Sequence, residues 1–271
     1  MNLESILRRD RFILLAGLAG ITVVSWAYMV YEARAMQLTG VCQCFGMRMS
    51  GPDTNPWSAT TLLPLFLMWS EMMVAMMIPT VAPMILTFAL VNRRRREQER
   101  PFVPTAIFLA GYVAVWTLFS AVIAVAQWVL HGAALLTPMT ESRSAWLAGG
   151  LLLMAGAFQF TPSKQACLRN CRSPLDFIMA GWREGSAGAF SMGFRHGAYC
   201  TGCCWALMAL LFVLGVMNVL WIAAITALVL IEKAIPRGEW LGRCAGVGLM
   251  VWGIWLLVNA PDNPMAELPL Q

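Results

Sequence analysis

Residues 62–91 read LLPLFLMWSEMMVAMMIPTVAPMILTFALV, thirty positions that carry a single charge, at Glu71. A helix of that length extends about 45 Å at 1.5 Å per residue, whereas about 20 apolar residues already cross a hydrocarbon core of roughly 30 Å. The stretch reads as a membrane span. Pro79 and Pro83 within it predict a kink, because each ring removes a backbone donor and crowds the preceding turn.

The same signal recurs on both sides. Apolar runs at Phe12–Val30, Leu62–Val91, Thr105–Leu130, Ala145–Phe160, Cys203–Ile231 and Cys244–Val258 predict an all-α, polytopic transmembrane helical bundle of six spans. The chain of 271 residues is 59% apolar and 12% charged, with a mean hydropathy of +0.66. A soluble domain has about 45–50% and about 25%. A single water-soluble core, disorder and coiled coil are therefore excluded, and eight cysteines are too sparse for a small disulfide scaffold. The first run follows Arg8, Arg9 and Arg11, but no small-residue cleavage site comes after it, so it reads as a retained anchor. No soluble domain fits between the runs, which leaves one integral membrane domain over residues 1–271, with its motifs in about 60–235.

The net charge of +5 sits in short clusters between apolar runs, a topology signal and not a nucleic-acid-binding stripe. Cationic loops at Arg93–Arg96 with Arg100, and from Lys164 to Arg195, place the N-terminus in the cytoplasm; a simple six-span count puts both termini there. That count leaves Lys233, Arg237 and Arg243 outside, against the charge rule. The conflict disappears if the long fifth run breaks near Gly215 to Asn218, which also brings Glu232 back towards Cys203 and Cys204.

The most specific chemistry is His196-x-x-x-Cys200-x-x-Cys203-Cys204. On a helix these offsets put all four side chains on one face, and thiolate with imidazole suits Cu(I), Zn(II) and similar soft or borderline ions. In the second run, Met72 with Met76 and Met73 with Met77 form two rungs of thioethers, which select Cu(I). Packing is the plain alternative for methionine. Glu71, ionisable within a span, should face a cavity, partner or ion. Cys42 and Cys44, with Met36, Met47 and Met49, form a third soft cluster or a disulfide. Cys167 and Cys171 lie among Lys164, Arg169 and Arg172, cations that favour thiol reactivity, and form a weaker set. Glu232 and Lys233 are expected to pair with each other, Cys244 to pack, and His131 to sit at an interface. There is no Gly-rich phosphate loop, Gly-x-Ser-x-Gly elbow or His-Glu-x-x-His motif, so any transport is not driven by ATP hydrolysis in this chain.

Trp69, Met72, Met73, Met76, Met77 and Pro79, with Cys167, Cys171 and Pro174, form a pattern that continues through His196-Gly-Ala-Tyr199-Cys200-Thr-Gly-Cys203-Cys204-Trp205-Ala-Leu-Met208. Gly215, Met217, Asn218, Trp221, Glu232 and Lys233 extend it. The pattern resembles a bacterial family of predicted metal-binding integral membrane proteins, some of whose members are labelled copper chaperones. The resemblance implies a metal-handling protein of the bacterial inner membrane. With the residue chemistry it gives the favoured reading, Cu(I) acquisition, transfer or delivery: Cys42 and Cys44 acquire the ion, Met72, Met73, Met76 and Met77 carry it past Glu71, and His196, Cys200, Cys203 and Cys204 hold it. Zinc and mercury also fit thiolates. Expected partners are the bilayer, the metal ion and a metal-accepting protein, with no nucleic acid. The alternatives are a membrane thiol–disulfide oxidoreductase linking Cys42/Cys44 to Cys200/Cys203, and an assembly subunit whose metal site is only structural.

Overall fold

The structure is a computed structural model that describes residues 3–39, 43–44, 47–48, 61–96, 103–133, 144–216, 218–235 and 237–260. The long helices are α1 (Leu3–Thr39), α2 (Leu62–Arg96), α3 (Thr105–Gly132), α4 (Ala145–Phe158), α7 (Gly185–Ala209), α9 (Val219–Ala234) and α10 (Glu239–Val258). Shorter helices are α5 (Pro162–Arg172), α6 (Pro174–Ala180) and α8 (Leu211–Leu214), and β1 (Gln43–Cys44) pairs antiparallel with β2 (Met47–Arg48). Five helical segments are long and apolar enough to cross a membrane, or six if α4 and α5, bent by 62°, count as one broken span. This is a helical bundle compatible with a multi-pass membrane protein. The buried share of the apolar window is 72% for the segment beginning with α7 and 11% for α1, so α7 is the axis of the bundle and α1 lies at its edge.

Helix α2 runs unbroken through both prolines. Pro79 has no N–H for the carbonyl of Ala75, four residues earlier. That acceptor is taken instead by the indole of Trp26 on α1, at 3.0 Å. The defect in one helix therefore becomes the joint to the next, as membrane interiors require of a freed backbone group.

Helices α3 and α7 approach closely because glycines face the contact. A Cβ on Gly193 would strike the carbonyl oxygen of Phe108, and one on Gly111 would strike that of Phe190. Helices α4 and α10 meet in the same way, Gly149 against Gly253 and Gly156 against Gly246. Small residues at these positions let backbones touch where lipid supplies no hydrophobic drive.

Two spans differ from their sequence-based boundaries. The fourth helix stops at Phe158, and the chain turns into polar α5, capped by Thr161, whose hydroxyl accepts from the Lys164 N–H at 3.3 Å. The fifth begins earlier than expected, at Gly185, which puts the cysteine motif in mid-helix. The break falls where expected. Helix α7 ends at Ala209, and after α8 Gly215 takes φ +84°, a left-handed conformation suited to glycine. Asn218 then caps α9 by accepting from the Trp221 N–H at 3.4 Å.

Helix α9 returns beside α7 and delivers Glu232 and Lys233 to the face that holds α5. The cations after α9 thus share a face with Lys164 and Arg172, as the charge rule demands. The return also corrects the simple count. Leu257, near the end of α10, packs on Gly149 near the start of α4, so α1 begins and α10 ends at opposite faces of the bundle.

Candidate functional site

Helix α7 places His196, Cys200, Cys203 and Cys204 in the interior, each at most 3% exposed. The His196 ring is stacked on Tyr112 and Phe108 and meets Phe177 edge-on, with centroids 5.7, 6.4 and 5.4 Å away. Its Nδ1 is buried without a hydrogen-bond partner. A buried polar nitrogen left unsatisfied costs free energy unless something occupies it.

The sulfur of Cys200 accepts from the Lys233 ammonium at 2.9 Å and lies 3.1 Å from the Tyr112 hydroxyl. The thiols of Cys203 and Cys204 donate back to the Cys200 carbonyl, at 3.1 and 3.0 Å. Cys171 of α5 joins them: its thiol interacts with those of Cys200 and Cys203, as Cys204 does from α7. Four thiols from two helices therefore share one locus, and all are free. Among the described residues no group of three or more His, Cys, Asp or Glu side chains is arranged ready to hold a metal ion.

The methionine stripe reaches this locus. Met68, Met72, Met73, Met76 and Met77 are all buried. At its lower end the Thr80 hydroxyl donates to the Met77 carbonyl at 2.9 Å and lies 4.0 Å from the Met77 sulfur. Lys233 donates to that hydroxyl at 3.3 Å as well as to Cys200. The Tyr112 hydroxyl, which faces Cys200, donates to the Met77 carbonyl at 3.3 Å. Further along α2, the Trp69 indole donates to the side chain of Gln127 on α3. Glu71 is only half-buried, with Glu32 of α1 as its charged neighbour, and its Oε1 has no hydrogen-bond partner.

A second buried polar group lies beside the thiols. Lys164 donates to Glu232 at 2.6 Å, with the two side chains 1% and 3% exposed, and also to the side-chain carbonyl of Gln159. Arg172 donates to the Glu232 carbonyl at 2.8 Å and pairs with Glu239 at 2.9 Å. These contacts fasten α5, which carries Cys171, to α9, which carries Lys233, and to the start of α10.

Several sequence-based assignments are thereby revised. Glu232 and Lys233 do not pair with each other; adjacent residues on a helix point about 100° apart, and each finds a different partner. Cys171, set among the weaker thiols, belongs to the cluster because the chain turns after Phe158 and folds α5 back across α7. Its signal in the sequence was the four-residue spacing of Cys167 and Cys171. Tyr112 and Thr80 carried no signal. His131 is buried, with its Nδ1 3.1 Å from the Gln127 carbonyl, while Cys244 is exposed. Cys42 lies outside the described residues. Cys44 is in β1, with its side chain not described.

The fold and the site together define a polytopic helical bundle with a buried thiol locus beside a stripe of buried methionines. Residues 66–256 match the PpoB2 family, described as copper chaperone, and the chain belongs to that family. The matched region contains every residue of the thiol locus and of the methionine stripe. No curated protein and no solved structure matches the chain.

Proposed function

We propose that this protein is an integral membrane copper chaperone of the bacterial inner membrane that takes up Cu(I) as cargo, passes it along α2 and holds it at the α7 thiols for delivery to an acceptor protein. The observation that carries the reading is the junction of two soft-donor sets, where Thr80 and Lys233 connect Met77 to Cys200. Thioethers and thiolates both prefer Cu(I) to harder ions. The orphaned Nδ1 of His196 adds a borderline donor at the same level. Exchange favours donors that are close and not locked in a closed tetrahedral cage, and free thiols that share hydrogen bonds with a backbone carbonyl and with one another meet that description. The family supports copper as the ion. Cys42 and Cys44 fit the acquiring role, Glu71 a position beside the path, and the cationic loops a cytoplasmic N-terminus.

Purified full-length protein in detergent, challenged with equimolar Cu(I), Zn(II) and Hg(II) under reducing conditions and assayed for bound metal, tests the reading. Cu(I) is expected in preference to Zn(II). Absence of bound copper overturns it.

A further inference from the structure

Helix α5 departs from the axis of α4 by 62° and lies across α7 at the level where α9 ends. Its sequence, PSKQACLRNCR, is that of a polar helix. Cys167 and Cys171 are four residues apart and so occupy one face of it. Cys171 is in the thiol cluster. Cys167 is one turn further along, half-buried, with its sulfur over Gly202 of α7, where an added Cβ would lie 2.9 Å away. The missing side chain at residue 202 is what admits the thiol to α7, one residue before Cys203. Cys171 and Cys167 are both partly exposed, whereas Cys200, Cys203 and Cys204 are buried. The three cysteines of α7 are thus interior, and the two of α5 lie nearer the surface of the bundle.

We propose that Cys171 and Cys167 form the exit from the buried site, a two-thiol relay on α5 that carries Cu(I) from Cys203 to the aqueous face, where an acceptor thiol collects it. The proposal rests on the copper reading above and adds the route and the side of release. Each step is a ligand exchange at constant oxidation state. A Cu–S bond to the incoming thiol forms as that thiol releases its proton, the bond to the outgoing sulfur breaks, and that sulfur takes a proton up. Copper remains Cu(I), so no oxidant or reductant is needed. Cation-bearing α5 lies beside the ion throughout, and Lys164 and Arg172 fasten the helix to α9 while its two thiols face α7.

The test uses full-length protein loaded with one equivalent of Cu(I) in detergent, mixed with excess bathocuproine disulfonate, whose Cu(I) complex is followed by absorbance. Cys167→Ser is expected to retain the same copper stoichiometry as wild type and to release it at least fivefold more slowly. Cys171→Ser is expected to slow release and also to retain less copper. Gly202→Ala keeps every thiol and displaces only the end of the Cys167 side chain, so it should be slowed in the same direction, and it decides the matter if Cys167→Ser fails to fold. Release within twofold of wild type from loaded Cys167→Ser, or from loaded Gly202→Ala where the first variant is unfolded, overturns the exit. A wild-type protein that binds no Cu(I) overturns the copper reading itself, and the exit with it.

Discussion

The ammonium of Lys233 lies 2.9 Å from the sulfur of Cys200, although the two residues are 33 positions apart and on different helices. The contact exists because Gly215 and Asn218 turn the chain back, and because α9 runs just far enough to bring its last turn level with Cys200. A Cu(I) ion between two thiolates carries net negative charge, so a cation fixed beside one of them offsets the cost of burying it.

Replacing that cation gives the first prediction. Lys233→Met should weaken Cu(I) retention about tenfold, equivalent to about 1.4 kcal/mol, in competition with a colorimetric Cu(I) chelator. Lys233→Arg keeps the charge and should recover much of the loss. Equal retention by Lys233→Met and wild type would show that the ammonium only fills space.

The thiols themselves give the second. Cys200→Ser, Cys203→Ser and Cys204→Ser combined should lower bound copper per protein while leaving expression and membrane insertion intact, since serine can still donate to the Cys200 carbonyl position. Metal analysis of the folded triple variant is the measurement. Unchanged copper removes these residues from the site.

The helical bundle was legible because lipid imposes long apolar runs that composition alone betrays. The break at Gly215–Asn218 was legible from a cap residue, a glycine and a charge conflict. The α7 motif was legible because its four donors lie on one stretch of chain. Cys171 and Tyr112 were not, since their places depend on how α5 turns after Phe158 and how closely glycines let α3 approach α7. The partners of Glu232 and Lys233 were missed for the same reason. Adjacency in sequence suggested a pair, and only the packing of α5 and α2 against α9 supplies Lys164 and Thr80.

The methionine stripe gives the third prediction. Exchange of Met72, Met73, Met76 and Met77 for leucine conserves volume approximately and should cost less than about 1.5 kcal/mol per site, while deleting every thioether there. Cells carrying only this variant should show altered copper content or copper sensitivity, with the α7 thiols still able to bind copper in the purified protein. Full complementation of a deletion strain would leave these methionines as packing alone.

The buried ion pair gives the fourth. Lys164 and Glu232 meet at 2.6 Å with almost no exposure, and Gly242 makes room for the carboxylate, since a Cβ there would collide with its Oε1. Removing one partner strands the other charge, at a cost of about 3–5 kcal/mol, whereas replacing both with apolar groups of similar size is often neutral. Lys164→Met alone should therefore lower the thermal midpoint of the detergent-solubilised protein sharply, and Lys164→Met with Glu232→Leu should restore most of it. The pair also fastens α5, so the single variant should expose Cys171 and speed its alkylation by a maleimide, followed by peptide mass spectrometry. In the double variant that reaction should slow again as packing returns. A single variant as stable as the double would mean that Glu232 finds another partner, and that α5 is held over the thiols by Arg172 alone.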